Sequence, residues 1–158
     1  MRLRRFGLQR QPDFAQGFDI GRAEALFQRW GPGLVLVGRV LPGVRTTVSR
    51  LDPANTGQFE IRGQRLTEVE IVLTLPAALI SASGRTMPLE FGPGDGGISS
   101  TNVIGASTAF DPRNPVRWPL SNSGRAYVFL GGSAVPASTQ AGGTYQATVV
   151  LTVAYTGN

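Results

Sequence analysis

Glu68 and Glu70 are the closest approach to a catalytic pair in this chain. They sit two residues apart in Thr67–Leu75, where Val69, Ile71, Leu73 and Leu75 alternate with Glu68, Glu70 and Thr74. Carboxylates at i and i+2 of a strand share one face, where they could hold a cation or work as acid and base. The same spacing suits a solvated sheet face with Arg62 or Arg65 of the preceding hairpin as counter-charge, and this is the expected role. Asp95 lies in the Gly92–Gly97 loop, whose backbone and carboxylate oxygens are of the kind that bind calcium, but one acid is too few for a tight site. That loop lacks the lysine of a phosphate-binding P-loop. Ser81, Ser83, Ser99, Ser100, Ser121 and Ser123 offer hydroxyls, yet a serine nucleophile needs a base. They are expected to be turn residues. No catalytic residue, metal site, cofactor or small-molecule substrate is expected, and the chain is not expected to be an enzyme.

Composition sharpens that expectation. Cysteine, histidine and lysine are absent, which removes the thiolate, the commonest general base and the Schiff-base amine. All 15 positive charges are therefore arginine. They are unevenly placed: residues 1–39 carry seven arginines against three acids, a balance of +4, and the remainder only +1. Residues 1–32 thus read as a basic N-terminal arm. Within it, Ala23, Leu26, Phe27 and Trp30 fall at i, i+3, i+4 and i+7 and predict a short helix over 21–30, ended by Gly31-Pro32-Gly33. Arg2, Arg4, Arg5 and Arg10, with Leu26, Phe27 and Trp30, are the expected partner-binding residues. The partner is a protein, either another copy of this chain or a membrane-associated complex. Nucleic acid is not expected, because the body has no RNP or zinc pattern. No apolar run approaches the ~20 residues of a membrane span. Met1–Arg5 could open a signal peptide, but Arg10, Pro12 and Asp13 stand where its apolar stretch would be, so no export signal is expected in the chain as written.

From residue 33 the texture is all β. The 21 glycines and 11 prolines divide short alternating runs rather than helices. Strands are predicted at Leu34–Val37, Val44–Arg50, Gln58–Arg62, Thr67–Leu75, Met87–Phe91 and Gly124–Leu130. Asp111–Pro119, with three prolines, is predicted to be irregular or an edge, and Gly131–Gly143 a long turn. The most regular run is the last. Tyr145, Ala147, Val149, Leu151, Val153 and Tyr155 point one way, and the residues between them the other. Burying its larger apolar side chains contributes about 1.5–3 kcal/mol each, so this strand is indispensable wherever it packs. Tyr145, Val149, Leu151, Val153 and Tyr155 could seat in their own domain or be exchanged with a neighbour. The expected fold is an immunoglobulin-like antiparallel β-sandwich of about eight strands over 33–158.

The stretch from about residue 37 resembles a bacterial family of exported β-sandwiches, domain of unknown function 4402. The resemblance rests on Val37–Gly43, Leu51–Gly63, Val69–Leu75 with Pro76, and Leu130-Gly131-Gly132 through Val135-Pro136 to Ala141-Gly142-Gly143-Thr144-Tyr145 and its strand. Ala147 departs from the glycine common there in the family. The resemblance implies a non-enzymatic, extracytoplasmic, pilus-like or surface-associated subunit of periplasm or cell surface, with no catalytic residues to carry over. Two other roles are compatible with the residues. One is an accessory subunit docked on a larger membrane-bound complex. The other is a carbohydrate-binding module using Trp118 and Tyr127, although Trp118 is expected at the core rim.

Overall fold

The computed structural model describes residues 41–143 and 145–156. The arm at 1–32, the helix over 21–30 and the strand Leu34–Val37 lie outside the described residues. Within them the chain is an all-β, antiparallel sandwich. It is cut into twelve short strands rather than about eight. These are β1 (Thr46–Val48), β2 (Gly57–Arg62), β3 (Glu68–Thr74), β4 (Ala78–Ser81), β5 (Thr86–Glu90), β6 (Gly96–Ser99), β7 (Thr108–Phe110), β8 (Val116–Pro119), β9 (Arg125–Leu130), β10 (Gly132–Ala134), β11 (Tyr145–Gln146) and β12 (Val150–Tyr155). A single 3₁₀ turn, Ile104–Ala106, precedes β7.

The strands form a five-stranded sheet (β1-β10-β5-β4-β11), a three-stranded sheet (β12-β3-β8) and a four-stranded sheet (β2-β9-β6-β7). All three contribute to one core. The inner faces are set by period-two alternation: Phe59 and Ile61 on β2, Val69, Ile71 and Leu73 on β3, Ala126, Val128 and Leu130 on β9.

Some of the extra strands come from runs that change sheets part-way; β6, β7 and β8 are further short strands, and β8, within Asp111–Pro119, is an edge strand of its sheet. β3 pairs with β12, and its continuation β4 pairs with β11. Pro76 lies in the gap, and a residue without an N–H cannot extend the ladder. The predicted single strand Tyr145–Tyr155 is broken at 147–149, between β11 in one sheet and β12 in another. Its inward side nonetheless stays on the core, with Tyr145, Val149 and Leu151 all at most 4% exposed. Likewise β9 becomes β10 across Gly131, inside what the sequence reads as a turn. A Cβ at Gly131 would lie 2.5 Å from the Val48 carbonyl oxygen, so only glycine lets these backbones approach.

Two turns use the same five-residue device, Ser-x-Ser-Gly-Arg. In Ser81–Arg85 the first serine's Oγ lies 2.9 Å from the second's and accepts the arginine N–H at 3.1 Å. In Ser121–Arg125 the two distances are identical. Ser81, Ser83, Ser121 and Ser123 are thus seated as turn residues, whereas Ser99, also predicted in a turn, is the buried last residue of β6 because it pairs with Tyr127 of β9; each turn glycine has positive φ, +81° at Gly84 and +70° at Gly124. The surroundings differ. A Cβ at Gly84 meets nothing, whereas one at Gly124 would be 2.2 Å from the Gly63 carbonyl oxygen. Gly84→Ala therefore costs about 1 kcal/mol of left-handed strain, and Gly124→Ala adds about 1–3 kcal/mol of overpacking. Urea unfolding of the two variants checks this; equal losses would contradict the close approach.

Candidate functional site

The sequence-predicted chemistry disperses on folding. Glu70 faces Arg117 of β8, with Nε 3.2 Å from Oε1, rather than Arg62 or Arg65. The counter-charge comes across the β3–β8 pairing, in which Glu70 and Arg117 are direct cross-strand neighbours. Asp95 serves its own loop: Oδ2 accepts the Gly92 N–H at 2.6 Å, and its carbonyl accepts the Gly131 N–H at 2.8 Å. Among the described residues no group of three or more acids, histidines or cysteines is placed to hold a metal. Trp118 packs half-buried against the core rim and donates Nε1–H to Ser100 Oγ at 3.2 Å. Tyr127 lies in another sheet, 9% exposed, so the two rings form no common platform. Arg2, Arg4, Arg5, Arg10, Leu26, Phe27 and Trp30 lie outside the described residues.

The turn acids are structural. Hydrogen bonds from the Asn55 side chain and the Ala54 N–H hold the Asp52 carboxyl below its usual value, and Arg113 does the same for Asp111. Depressed carboxyl pKa values stabilise the fold above the unfolded-state value of 3.8, and that contribution is lost as pH falls through the folded values.

What the fold does bring together is two sheet edges. β2 ends the four-stranded sheet and β12 the three-stranded one, and among the described residues each is paired on one side only. Both run six residues toward the same end of the sandwich, because β12 is antiparallel to β3 (Tyr155 opposite Val69) and β3 follows β2 through a short turn. At that end they touch. Tyr155 Oη accepts the Gln64 N–H at 2.8 Å, and a Cβ at Gly63 would lie 2.8 Å from the same oxygen and 2.7 Å from Leu120 Cδ1. Gly63 therefore makes room for the tyrosine. The seam beside it, lined by Ile61, Val69, Leu120, Val153 and Tyr155, holds about 10 Å³, room for about one water.

The two edges differ in how well they are covered. Phe59 and Ile61 of β2 are 3% and 5% exposed, whereas Val153 and Tyr155 of β12, on the core side of their strand, are only partly buried. On the outer face of β2, Glu60 has a side chain 2% exposed, held by Arg62 Nη2 at 2.9 Å and Arg125 Nη1 at 3.3 Å, with a longer contact from Tyr127 Oη at 3.4 Å. Sequence reading passed over Glu60 because the alternation of β2 marks it only as outward. Its signal was the pairing of β2 with β9, which is not visible from spacing.

No protein-family model matches this chain, and no curated protein or solved structure matches it.

Tyr145, Val149 and Leu151 seat in the core of their own chain here, and Val153 and Tyr155 pack against it partly buried. Leu151→Ala is accordingly expected to lower stability by about 2–5 kcal/mol. Urea unfolding over a hundredfold range of protein concentration checks this. A midpoint that rises with concentration would mean that the strand is shared between chains.

Proposed function

We propose that this protein is a non-enzymatic, extracytoplasmic structural or assembly subunit, pilus-like or surface-associated, that joins its neighbours through strand edges. The observation that carries the reading is the edge of β12, which among the described residues is paired on one side only. It is six residues long, and its core-side residues Val153 and Tyr155 are incompletely covered. Such an edge offers a row of backbone donors and acceptors to an added strand. Family resemblance supports the same reading and supplies the location, periplasm or cell surface. A neighbouring copy of the chain is the proposed partner. The basic N-terminal residues favour a second reading, an accessory subunit held on a larger membrane-bound complex.

Electron microscopy and light scattering of the protein isolated from its native cells separate the two. Filaments or concentration-dependent oligomers support the edge reading, and a discrete stoichiometric membrane complex supports the second. A chain that stays monomeric at high concentration and binds no surface component defeats both. A variant tests the edge directly. Ala154 is exposed on β12, so Ala154→Lys should change stability by less than about 0.5 kcal/mol while the charge blocks strand addition. Light scattering should then show loss of oligomers at unchanged unfolding midpoint.

A further inference from the structure

At the end of the sandwich where β2 and β12 finish, two turns are clasped together. The Gly63 N–H donates to the Gly124 carbonyl at 2.8 Å, the Leu66 N–H lies 3.2 Å and 3.3 Å from the Leu120 and Ser121 carbonyls, and the Leu120 N–H returns to Thr67 at 2.9 Å. This clasp presents Leu66 in an unusual way. Its φ is +59°, the one left-handed non-glycine among the described residues. Its exposure, 69%, is the largest of the exposed apolar side chains there. A leucine held in a strained backbone region and pointed into water serves no core. Strain of this kind is a pointer to function.

Three arginines share this end of the sandwich. Arg62 and Arg125 are direct cross-strand partners, so like charges oppose each other on one face. Glu60, buried beneath, is shared by both and offsets one of them, and the two arginine side chains are 57% and 42% exposed. Arg65 is exposed beside Leu66, and its N lies 3.4 Å from the place a Gly124 Cβ would take. Glu68, at the start of β3, is the other acid at this end. A surplus of positive charge remains around a bare apolar residue.

We infer that the end formed by residues 62–67 and 120–125 docks on an anionic lipid bilayer, with Arg62, Arg65 and Arg125 on headgroup phosphates and Leu66 at the acyl boundary. Guanidinium forks match phosphate oxygens, and a bilayer interface accepts both charges and an apolar side chain. Free phosphate would use the arginines but not the leucine. A protein partner would need a wider apolar contact than this end offers, where Leu66 is flanked by Gln64 and by Ser121-Asn122-Ser123. Three arginines and one leucine give reversible attachment, not anchoring. The inference is independent of the strand-edge reading.

The test uses the full chain sedimented with vesicles of phosphatidylglycerol and phosphatidylcholine, about one part to three, against pure phosphatidylcholine at low salt. Partitioning onto the anionic vesicles alone is expected. Arg65→Gln should lower it about fivefold with no change in Tm. Leu66→Gly should lower it severalfold while raising Tm, because glycine relieves the left-handed strain. That opposition of binding and stability is not produced by a merely structural residue. The chain has no cysteine, so Leu66→Cys can carry a single environment-sensitive fluorophore, whose emission should shift blue on anionic vesicles only. The inference is overturned if both variants partition like the parent chain and the fluorophore stays water-like, which would assign binding to the basic N-terminal residues. Equal partitioning onto uncharged vesicles, or capture by soluble polyglutamate instead of vesicles, would overturn it too.

Discussion

The nine residues from Ala126 to Ala134 are buried without interruption, and the structure depends on how that run passes from one sheet to another. As β9 it lies between β2 and β6; as β10 it lies between β1 and β5. A strand with neighbours on both sides cannot bend freely, because each backbone group must keep a partner. The change of sheet is made at Gly131, where the absence of a side chain lets the Val48–Arg50 backbone come within contact and the N–H find the Asp95 carbonyl. Asp95 in turn is held by its own loop. Asp95 of the loop before β6 is therefore a support for this crossing.

The same economy governs the opposite end. Two glycines, Gly63 and Gly124, touch so that the turn after β2 and the turn before β9 can share hydrogen bonds, and Tyr155 locks the last strand over them. Here the Tyr155 hydroxyl, rather than an added strand, ties β12 to the turn after β2. The β2 and β12 edges remain open among the described residues, and the clasp forces Leu66 into its left-handed, outward position. Open edge and exposed leucine thus arise from one packing solution, although they point to different kinds of partner.

Much of the architecture was legible from spacing. Alternation in Gly57–Arg62, Glu68–Thr74 and Tyr145–Tyr155 identified the buried side of each strand, because a two-residue period survives even where the strand changes sheets. The serine turns were legible from Ser, Gly and φ requirements that are local. Ala78–Ser81 and Gly132–Ala134 were missed because they are short, and neither alternation nor turn chemistry distinguishes them from loop. In Gly124–Leu130, predicted as a strand, both faces are buried, Phe129 and Val128 alike at 0% exposed. Gly97 lies opposite Phe129 in register, and Arg50 is laid across Gly97 while donating to Ser107 Oγ at 2.7 Å.

The sequence by itself determined the fold class, the inward face of the principal strands, the two Ser-x-Ser-Gly-Arg turns and the absence of the usual catalytic bases, since each depends on residue type or on neighbours a few positions away. Only the tertiary structure decided which charges meet, Glu70 with Arg117 and Glu60 with Arg62 and Arg125. It also decided where strands change sheets, and that the edges of β2 and β12 converge on Tyr155. These depend on pairing between segments tens of residues apart. A period of two residues says which face of a strand is buried, but carries no information about which strand lies beside it.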